Sequence, residues 1–259
     1  MINKMLHHEG IKAGTADDDL IVEMKDIHKS FDDMEVLKGV NVKVHKGENL
    51  VVLGKSGSGK SVLIKCIVGL VSPDEGQVFV FGKNISDLKY KELNQLRVKV
   101  GFLFQSAALY DSMTVGDNLA FPLKHHYKKI TNEEVERVID EALDNVGLKE
   151  SIDKMPSELS GGMSKRIGLA RTLILKPDIM LYDEPTTGLD TVTAKEISEL
   201  IVQMQRKNQI SSIIITHDMA CAKITADRIV MLKDGVIEAE GTYDELANSS
   251  NEWVKSFFM

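Results

Sequence analysis

Short apolar runs separated by turn-forming residues recur along most of the chain. Residues 20–24 and 40–44 alternate apolar and polar side chains, which predicts two strands that each bury one face. Residues 50–53, 179–182 and 213–215 are continuously apolar. Runs of this length are typical of parallel strands that are covered on both sides. The pattern therefore predicts an α/β core preceded by a β-rich N-terminal part.

Weaker signals complete the predicted strand pattern. Residues 77–81 and 100–104 indicate two further short strands, and a turn is expected at residues 30–33, between the first two strands. Near the C-terminal end, apolar runs flank residues 233–235, Lys-Asp-Gly, which is typical of a hairpin.

Between residues 106 and 176 the apolar spacing becomes that of helices. Thr131 and Glu134 have the separation of a capping box, apolar residues then recur at helical spacing, and Gly147 is placed to end the helix. We expect an inserted helical subdomain at about 106–176.

The first chemical motif directly follows the strand at 50–53. Residues 54–61 fit G-x-x-x-x-G-K-[ST], the phosphate loop of nucleotide-binding proteins. Its glycines let main-chain NH groups approach an anion, and the helix start adds a positive dipole end. We expect Lys60 to contact the β- and γ-phosphates and Ser61 to give a hydroxyl ligand to Mg²⁺. The predicted nucleotide-binding residues here are Gly54, Lys55, Ser56, Gly57, Ser58, Gly59, Lys60 and Ser61.

Four polar residues stand where predicted buried strands end, at the edge of an α/β sheet that commonly binds ligands. Asp183 is expected to hold Mg²⁺ through water, and Glu184 beside it to act as the general base for a water molecule. Gln105 is a candidate contact to Mg²⁺ or to that water. His217 is a candidate donor to a γ-phosphate. We therefore predict Lys60, Glu184 and His217 as the catalytic residues.

A second anion-binding helix start is predicted at residues 159–163, Leu-Ser-Gly-Gly-Met. Ser160 is a good N-cap residue, and Gly161 and Gly162 leave their main-chain NH groups accessible. One chain thus carries two phosphate-seeking helix starts.

In this order and spacing, the motifs resemble the ATP-binding subunits of ABC transporters over about residues 20–240. The resemblance implies a phosphate-loop NTPase (RecA-like) core of the α/β class, with an N-terminal antiparallel β subdomain and an inserted α-helical subdomain. The polar composition of residues 1–18 predicts a flexible leader. The resemblance implies an ATP-binding domain at 19–241 and a C-terminal extension at 242–259. It also implies ATP and Mg²⁺ as ligands. The family motifs matched are the phosphate loop at 54–61, the Q-loop at Gln105, the signature at 159–162, the Walker B carboxylates Asp183 and Glu184, the D-loop at 188–190 and the switch residue His217.

The resemblance further implies how ATP is held. Phe31 occupies the place of the aromatic residue that stacks on adenine, and the signature of one subunit covers the ATP on the phosphate loop of a second copy. The chain departs from the family at Met163, where a glutamine is usual, because methionine cannot make the amide hydrogen bonds of glutamine.

Net charge, the length of apolar runs and cysteine spacing limit which molecules and compartments this protein is expected to encounter. The net charge of −7 argues against non-specific binding of nucleic acid, which requires a basic face. No apolar run has the ~20 residues of a spanning helix, so any membrane role is expected to require a partner protein. No signal-peptide pattern is evident, and Cys66 and Cys221 have no metal-like or redox spacing, which favours a reducing cytoplasm.

Residues 103–123, together with Met163 and the basic pair at 165–166, resemble the ATPases of Mla-type phospholipid transporters. This resemblance implies a peripheral location on the cytoplasmic face of the inner membrane and an integral-membrane permease as partner. It also suggests a small regulatory subunit and a membrane-anchored lipid-binding protein. Leu109, Tyr110 and Met113 are expected to offer an apolar groove to a permease helix, or else to pack the helical insertion on the core.

Two other functions remain open at this point. The same motifs fit an importer of amino acids or another small solute, and they fit, less well, a soluble ABC ATPase that acts on ribosomes or chromosomes. The C-terminal aromatic residues Trp253, Phe257 and Phe258 either contact a second subunit or pack back on their own domain.

Overall fold

The computed structural model describes residues 19–258. The leader predicted at 1–18 therefore lies outside the described residues. The strands are β1 (Leu20–Phe31), β2 (Met34–His45), β3 (Asn49–Leu53), β4 (Glu75–Val80), β5 (Lys83–Asn84), β6 (Val100–Leu103), β7 (Ile179–Asp183), β8 (Ser211–Thr216), β9 (Arg228–Lys233) and β10 (Val236–Gly241). The helices are α1 (Lys60–Ile67), α2 (Tyr90–Val98), α3 (Val115–His126), α4 (Asn132–Asn145), α5 (Gly161–Leu173), α6 (Thr191–Asn208), α7 (Met219–Thr225), α8 (Tyr243–Ala247) and α9 (Glu252–Lys255).

The strands form two sheets. The N-terminal sheet is antiparallel, with strand order β2-β1-β4-β5. The second sheet has the order β10-β9-β3-β8-β7-β6, and the five strands from β9 to β6 are parallel. Because β3, β8, β7 and β6 are neighbours and parallel, the loops that follow them emerge at one edge of the sheet. This edge carries the predicted chemical residues.

Strands β3, β7 and β8 of this sheet are buried along their whole length, which explains their continuously apolar sequences. In β3, Val51 and Leu53 belong to one apolar core, whereas Leu50 and Val52 belong to the other. The first core also takes in side chains of α3 to α7, and the second takes in the N-terminal sheet with α1 and α2. The sheet therefore fixes the helical insertion on one side and the N-terminal sheet on the other.

The helical insertion contains the predicted capping box. Thr131 accepts a hydrogen bond from the Glu134 amide, and the Glu134 carboxylate accepts one from the Thr131 amide. Helix α4 ends at Asn145, and Gly147 takes a left-handed φ of 71° just beyond it. Helix α5 then leads back from the insertion to the core strand β7.

The turn predicted at residues 30–33 is wrong in its extent. Strand β1 continues to Phe31 and pairs with Met34, so the turn contains only Asp32 and Asp33. The cause is an irregular register between Met24 and Ile27, where Asp26 takes a φ of 49°. Such a bulge shifts the side chains to the other face and breaks the alternation along the strand.

Helix α2 was not expected from the apolar pattern. It carries one buried residue, Leu96, and otherwise presents polar or partly exposed side chains, so its apolar periodicity is weak. Among residues 19–258, no helix combines the length and the apolar character needed to cross a membrane.

The C-terminal segment packs on its own domain. Val254 is fully buried, and Trp253, Phe257 and Phe258 are partly buried against the core that contains the helical insertion. Asn251 caps α9 and donates a hydrogen bond to Glu238 of β10. Of the two alternatives for these aromatic residues, the structure shows the packing within one chain.

We predict that Val254→Ala lowers the free energy of unfolding by roughly 2 kcal/mol, because two buried methyl groups are lost at a site that cannot fully collapse. Urea unfolding followed by circular dichroism measures the change. Val192→Ala is the matched control, since Val192 is 68% exposed and should shift stability by less than about 0.5 kcal/mol. Equal losses in the two variants would show that the tail contributes no packing energy.

Candidate functional site

A cleft of about 710 Å³ opens at the edge of the second sheet where β3, β7 and β8 end. It brings together residues that are far apart in the sequence, from the N-terminal sheet to the loop after β8. Its lining residues are Phe31, Met34, Val36, Ser56, Gly57, Gly59, Lys60, Ser61, Val62, Gln105, Glu184, Thr187 and His217.

The phosphate loop connects β3 to α1 as predicted. Gly57 and Gly59 have φ angles of 81° and 102°, which residues with a Cβ rarely adopt, so these positions require glycine. A Cβ on Gly54 would collide with the main-chain carbonyl of Leu232, so the loop lies against β9. The hydroxyl of Ser58 is buried and has no hydrogen-bond partner among the described residues. Because buried hydroxyls normally have a partner, the loop fits a ligand that supplies one.

Lys60 is folded back into this loop. Its ammonium group donates to the carbonyls of Gly54, at 2.8 Å, and Lys55, at 3.0 Å, and only 6% of its side chain is exposed. Burial lowers the pKa of Lys60, and the nearby Glu184 carboxylate opposes this effect. The ammonium therefore lies at the cleft. An anion bound there would be a stronger hydrogen-bond acceptor than the two neutral carbonyls.

Ser61 and Asp183 join the loop to the end of β7. The Ser61 hydroxyl donates to the Asp183 carboxylate over 3.1 Å. Two hard oxygen donors thus lie side by side, which is the ligand chemistry that Mg²⁺ prefers when phosphate oxygens and water complete its coordination. The residues present fit the predicted metal position.

Glu184 lies between two other predicted residues. Its Oε1 is 3.6 Å from the Lys60 Nζ, and its Oε2 is 2.8 Å from the His217 Nδ1. The Thr187 hydroxyl donates to the same Oε2 over 3.2 Å. Glu184 has a φ of 50°, a conformation that is uncommon outside glycine and that is found often at functional sites.

Gln105 and Phe31 both line the cleft. Gln105 follows β6 with an exposed side chain, and its main-chain carbonyl accepts a hydrogen bond from Lys165. Phe31 is 43% exposed, with the Lys29 ammonium 5.3 Å from its ring centroid. The structure therefore leaves both predicted side chains accessible to a ligand.

The signature residues stand apart from this cleft. Ser160 caps α5 by accepting a hydrogen bond from the Met163 amide, and Ser160 and Gly161 are exposed. Gly162 is buried, and a Cβ there would lie 2.5 Å from the Thr193 Cγ2, so the start of α5 packs against α6. Ser160, Gly161 and Gly162 do not line the cleft of their own chain.

The comparison with protein families decides the classification. Residues 37–187, more than half of the chain, match the family model described as ABC transporter. The chain belongs to the ABC transporter ATP-binding family. It is therefore an ATPase of that family, and its fold is the mixed α/β fold of ABC cassettes.

Curated relatives of this ABC ATPase span several named functions. It is 37% identical to the chloroplastic protein trigalactosyldiacylglycerol 3 of Arabidopsis thaliana, over 93% of this chain and 74% of the relative. It is 39% identical to the probable ribonucleotide transport ATP-binding protein mkl of Mycobacterium leprae, over 91% and 68%. It is 40% identical to the methionine import ATP-binding protein MetN of Rhodopseudomonas palustris, over 88% and 62%. These identities are too close to each other to single out one substrate.

Solved ABC cassettes share its fold. The ATP-binding cassette MJ0796, solved as a dimer in a post-hydrolysis state with ADP and phosphate bound, aligns with a TM-score of 0.78 and 33% identity, covering 86% of this chain and 98% of that one. The cbiO1 protein of Clostridium perfringens, part of the cbiONQ transporter complex, aligns with a TM-score of 0.81 and 31% identity, covering 88% and 90%.

Four residues at this site belong to none of the predicted motifs. Met34, Val36 and Val62 give the cleft its apolar wall, and Thr187 holds the Glu184 carboxylate. Thr187 lies three residues after Glu184, and this closeness in the sequence is the feature from which its contact with the carboxylate could have been predicted. Met34 and Val36 gave no signal, because they reach the cleft only through the long β1–β2 hairpin.

Burial of the Asp183 carboxylate disfavours its charged form and so reduces the stability of the folded protein near neutral pH. Burial raises the pKa of Asp183, and the Ser61 hydrogen bond and neighbouring lysines offset only part of this rise. A carboxyl with a raised folded-state pKa contributes stability that is fully present below its unfolded pKa of about 3.9 and is lost as pH rises through the folded-state pKa.

We predict that Asp183→Asn raises the melting temperature of the nucleotide-free protein near neutral pH, because a neutral amide avoids burying the charge. The gain should shrink as pH falls towards the ordinary Asp pKa of about 3.9. Thermal denaturation over a pH series measures it, with the exposed Asp87→Asn as control. A melting temperature below that of the wild type at neutral pH would contradict this account of Asp183.

Proposed function

We propose that this chain is the ATP-hydrolysing subunit of an ABC transporter that moves phospholipid between the inner and outer membranes. The observation that carries the catalytic part is the position of Glu184, within hydrogen-bond reach of His217 and beside Lys60 in a phosphate-loop cleft. The lipid assignment is supported by the Mla-type pattern at residues 103–123 and Met163. The Arabidopsis relative is named after a lipid, trigalactosyldiacylglycerol, and this name also supports the lipid assignment.

The proposed catalytic roles follow from the geometry. Glu184 accepts a proton from the attacking water, and His217 and Thr187 keep its carboxylate oriented. Lys60 moves from the loop carbonyls to the β- and γ-phosphates. This movement breaks the ion pair between Lys60 and Glu184 and frees the Glu184 carboxylate. Ser61 and Asp183 would hold Mg²⁺, which stabilises the negative charge of the triphosphate. Gln105 would contact Mg²⁺ or the attacking water.

The cleft is proposed to be completed by a second copy. Phe31 stacks on adenine, and the exposed Ser160 and Gly161 of the other subunit contact the phosphates with the help of Gly162. The separation of the signature from its own cleft supports this arrangement, because one chain alone cannot surround the nucleotide with both helix starts. The match to a dimeric cassette also supports it.

A groove of about 520 Å³ supports a permease contact. It lies between the edge strand β6, the helix α3 and the helix α5. Its exposed aromatic residues are Phe104, Tyr110 and Phe121, and the Tyr110 and Phe121 rings are 5.2 Å apart. Of the three residues that the sequence predicted either for such a groove or for packing on the core, Tyr110 lines this groove. Leu109 packs on the core, and Met113 is half-buried outside the groove.

The proposed assembly is peripheral on the cytoplasmic face of the inner membrane. The permease would be its integral-membrane partner, and a small regulatory subunit and a membrane-anchored lipid-binding protein are further proposed partners. Within the chain we propose an ATP-binding domain at 19–241, with a helical subdomain at about 106–176, and an extension at 242–259.

An importer of a small solute is the second candidate, favoured by the 40% identity to a methionine import protein. The purified transporter in vesicles separates the two functions. Phospholipid transport should produce lipid bound to the complex and ATPase activity that responds to phospholipid. Stimulation by methionine or another small solute, without bound lipid, would overturn the lipid assignment.

We predict that Glu184→Gln lowers the ATPase kcat by about 10²–10⁴-fold, because the amide cannot accept the water proton. ATP affinity, measured by calorimetry, should stay near the wild-type value, and gel filtration should show an ATP-dependent dimer. A variant that hydrolyses ATP at the wild-type rate would remove Glu184 from its proposed role.

We predict that Phe121→Asp prevents recovery of the permease with the tagged ATPase from detergent-extracted membranes, because a carboxylate is placed in an apolar groove. ATP hydrolysis by the isolated subunit should be unchanged, since Phe121 does not line the nucleotide cleft. Leu70→Asp is the control, because Leu70 is 54% exposed and lies outside the groove. Equal permease recovery with both variants would place the contact elsewhere.

A further inference from the structure

One face of α5 lies directly against the segment that follows β6. Lys165, Gly168 and Arg171 are spaced three residues apart, so they share this face. A Cβ on Gly168 would stand 2.9 Å from the Ala107 Cβ, so the helix and the segment are in close contact. Helix α5 is also the helix that begins at the signature serine, Ser160.

The segment after β6 is held in a strained conformation. Ala107 and Ala108 are consecutive and have φ angles of 60° and 50°. Such angles cost energy for residues with a Cβ and persist only where neighbouring groups enforce them. Arg171 supplies this restraint, because its guanidinium donates to the carbonyls of Ala107, at 3.0 Å, and Ala108, at 2.9 Å.

Lys165 makes the contact closest to the chemistry. Its ammonium donates to the main-chain carbonyl of Gln105 and, over 3.3 Å, to that of Glu184. Both acceptors are main-chain atoms, so the link does not depend on either side chain. Lys165 is not among the residues that line the cleft.

This ammonium is placed where charge is costly. Lys165 is only 5% exposed, and burial lowers its pKa, while the Asp183 and Glu184 charges oppose the effect. An apolar side chain of the same length would pack there without desolvating a charge. The ammonium is instead held by its two carbonyl partners, so Lys165 does more at this position than fill space.

We propose that Lys165 is a positioning residue for ATP hydrolysis. By joining the main chains of Gln105 and Glu184, its ammonium fixes the distance between the side chain that contacts the attacking water or Mg²⁺ and the side chain that accepts the water proton. Because α5 starts at the signature, Lys165 also ties this geometry to the helix that faces the other subunit. The inference rests on the proposed function.

The test compares Lys165→Met, which keeps the length without a donor, with Lys165→Arg, which keeps the charge and the donors. We expect Lys165→Met to lower kcat at least about tenfold, since small displacements of reacting groups are costly. KM for ATP should change less than about twofold, because no nucleotide contact is lost. Lys165→Arg should recover most of kcat. Lys83→Met, at an exposed lysine of β5, is the control for the lysine-to-methionine change.

A second readout separates positioning from binding. In the Glu184→Gln background, Lys165→Met should still form the ATP-dependent dimer. Loss of that dimer, or equal kcat for Lys165→Arg and Lys165→Met, would overturn the proposal and leave the proposed function standing. If Lys165→Met does not fold, Lys165→Gln takes its place, and a kcat equal to that of Lys165→Arg is the overturning result. Absence of ATP hydrolysis by the wild-type transporter would instead refute the proposed function.

Discussion

The site depends on one carboxylate, that of Glu184, which joins the ends of three neighbouring parallel strands. Glu184 follows β7, its ion-pair partner Lys60 follows β3, and its hydrogen-bond partner His217 follows β8. Adjacent strands in a sheet are about 4.8 Å apart, so side chains from three loops can meet only because β3, β8 and β7 are consecutive and point the same way. The two apolar cores that cover the sheet keep this register fixed.

Two groups near this carboxylate, the Lys60 ammonium and the Ser58 hydroxyl, are suited to binding an anion. Lys60 rests on the carbonyls of Gly54 and Lys55, and Ser58 has a buried hydroxyl without a partner among the described residues. We expect each of these groups to gain a stronger partner when a phosphate group enters the loop. We therefore expect part of the stability given up by burying the Lys60 ammonium to be recovered when an anion binds, which is the usual relation between stability and function at such sites.

Much of this arrangement could be predicted from the sequence, because it rests on local signals. The glycine pattern of the phosphate loop, the apolar strand before Asp183 and the Thr131 capping box each depend on a few adjacent residues. The α/β fold class is confirmed, whereas the roles assigned to individual site residues stay predictions. Tertiary features gave no such signal. The bulge at Asp26 hid the length of β1, and the burial of Lys165 depends on the close packing of Gly168 against Ala107, two residues 61 positions apart.

The central claim is that ATP lies between the phosphate loop of one copy and the signature of another. Cysteine cross-linking tests it most directly, because the native Cys66 and Cys221 are buried and the exposed Ser56 and Ser160 can be replaced. In a Glu184→Gln chain carrying Ser56→Cys and Ser160→Cys, the account predicts a disulfide-linked dimer on a denaturing gel, formed with ATP and Mg²⁺ and not without them. A chain that stays monomeric on that gel while ATP is bound would contradict the account.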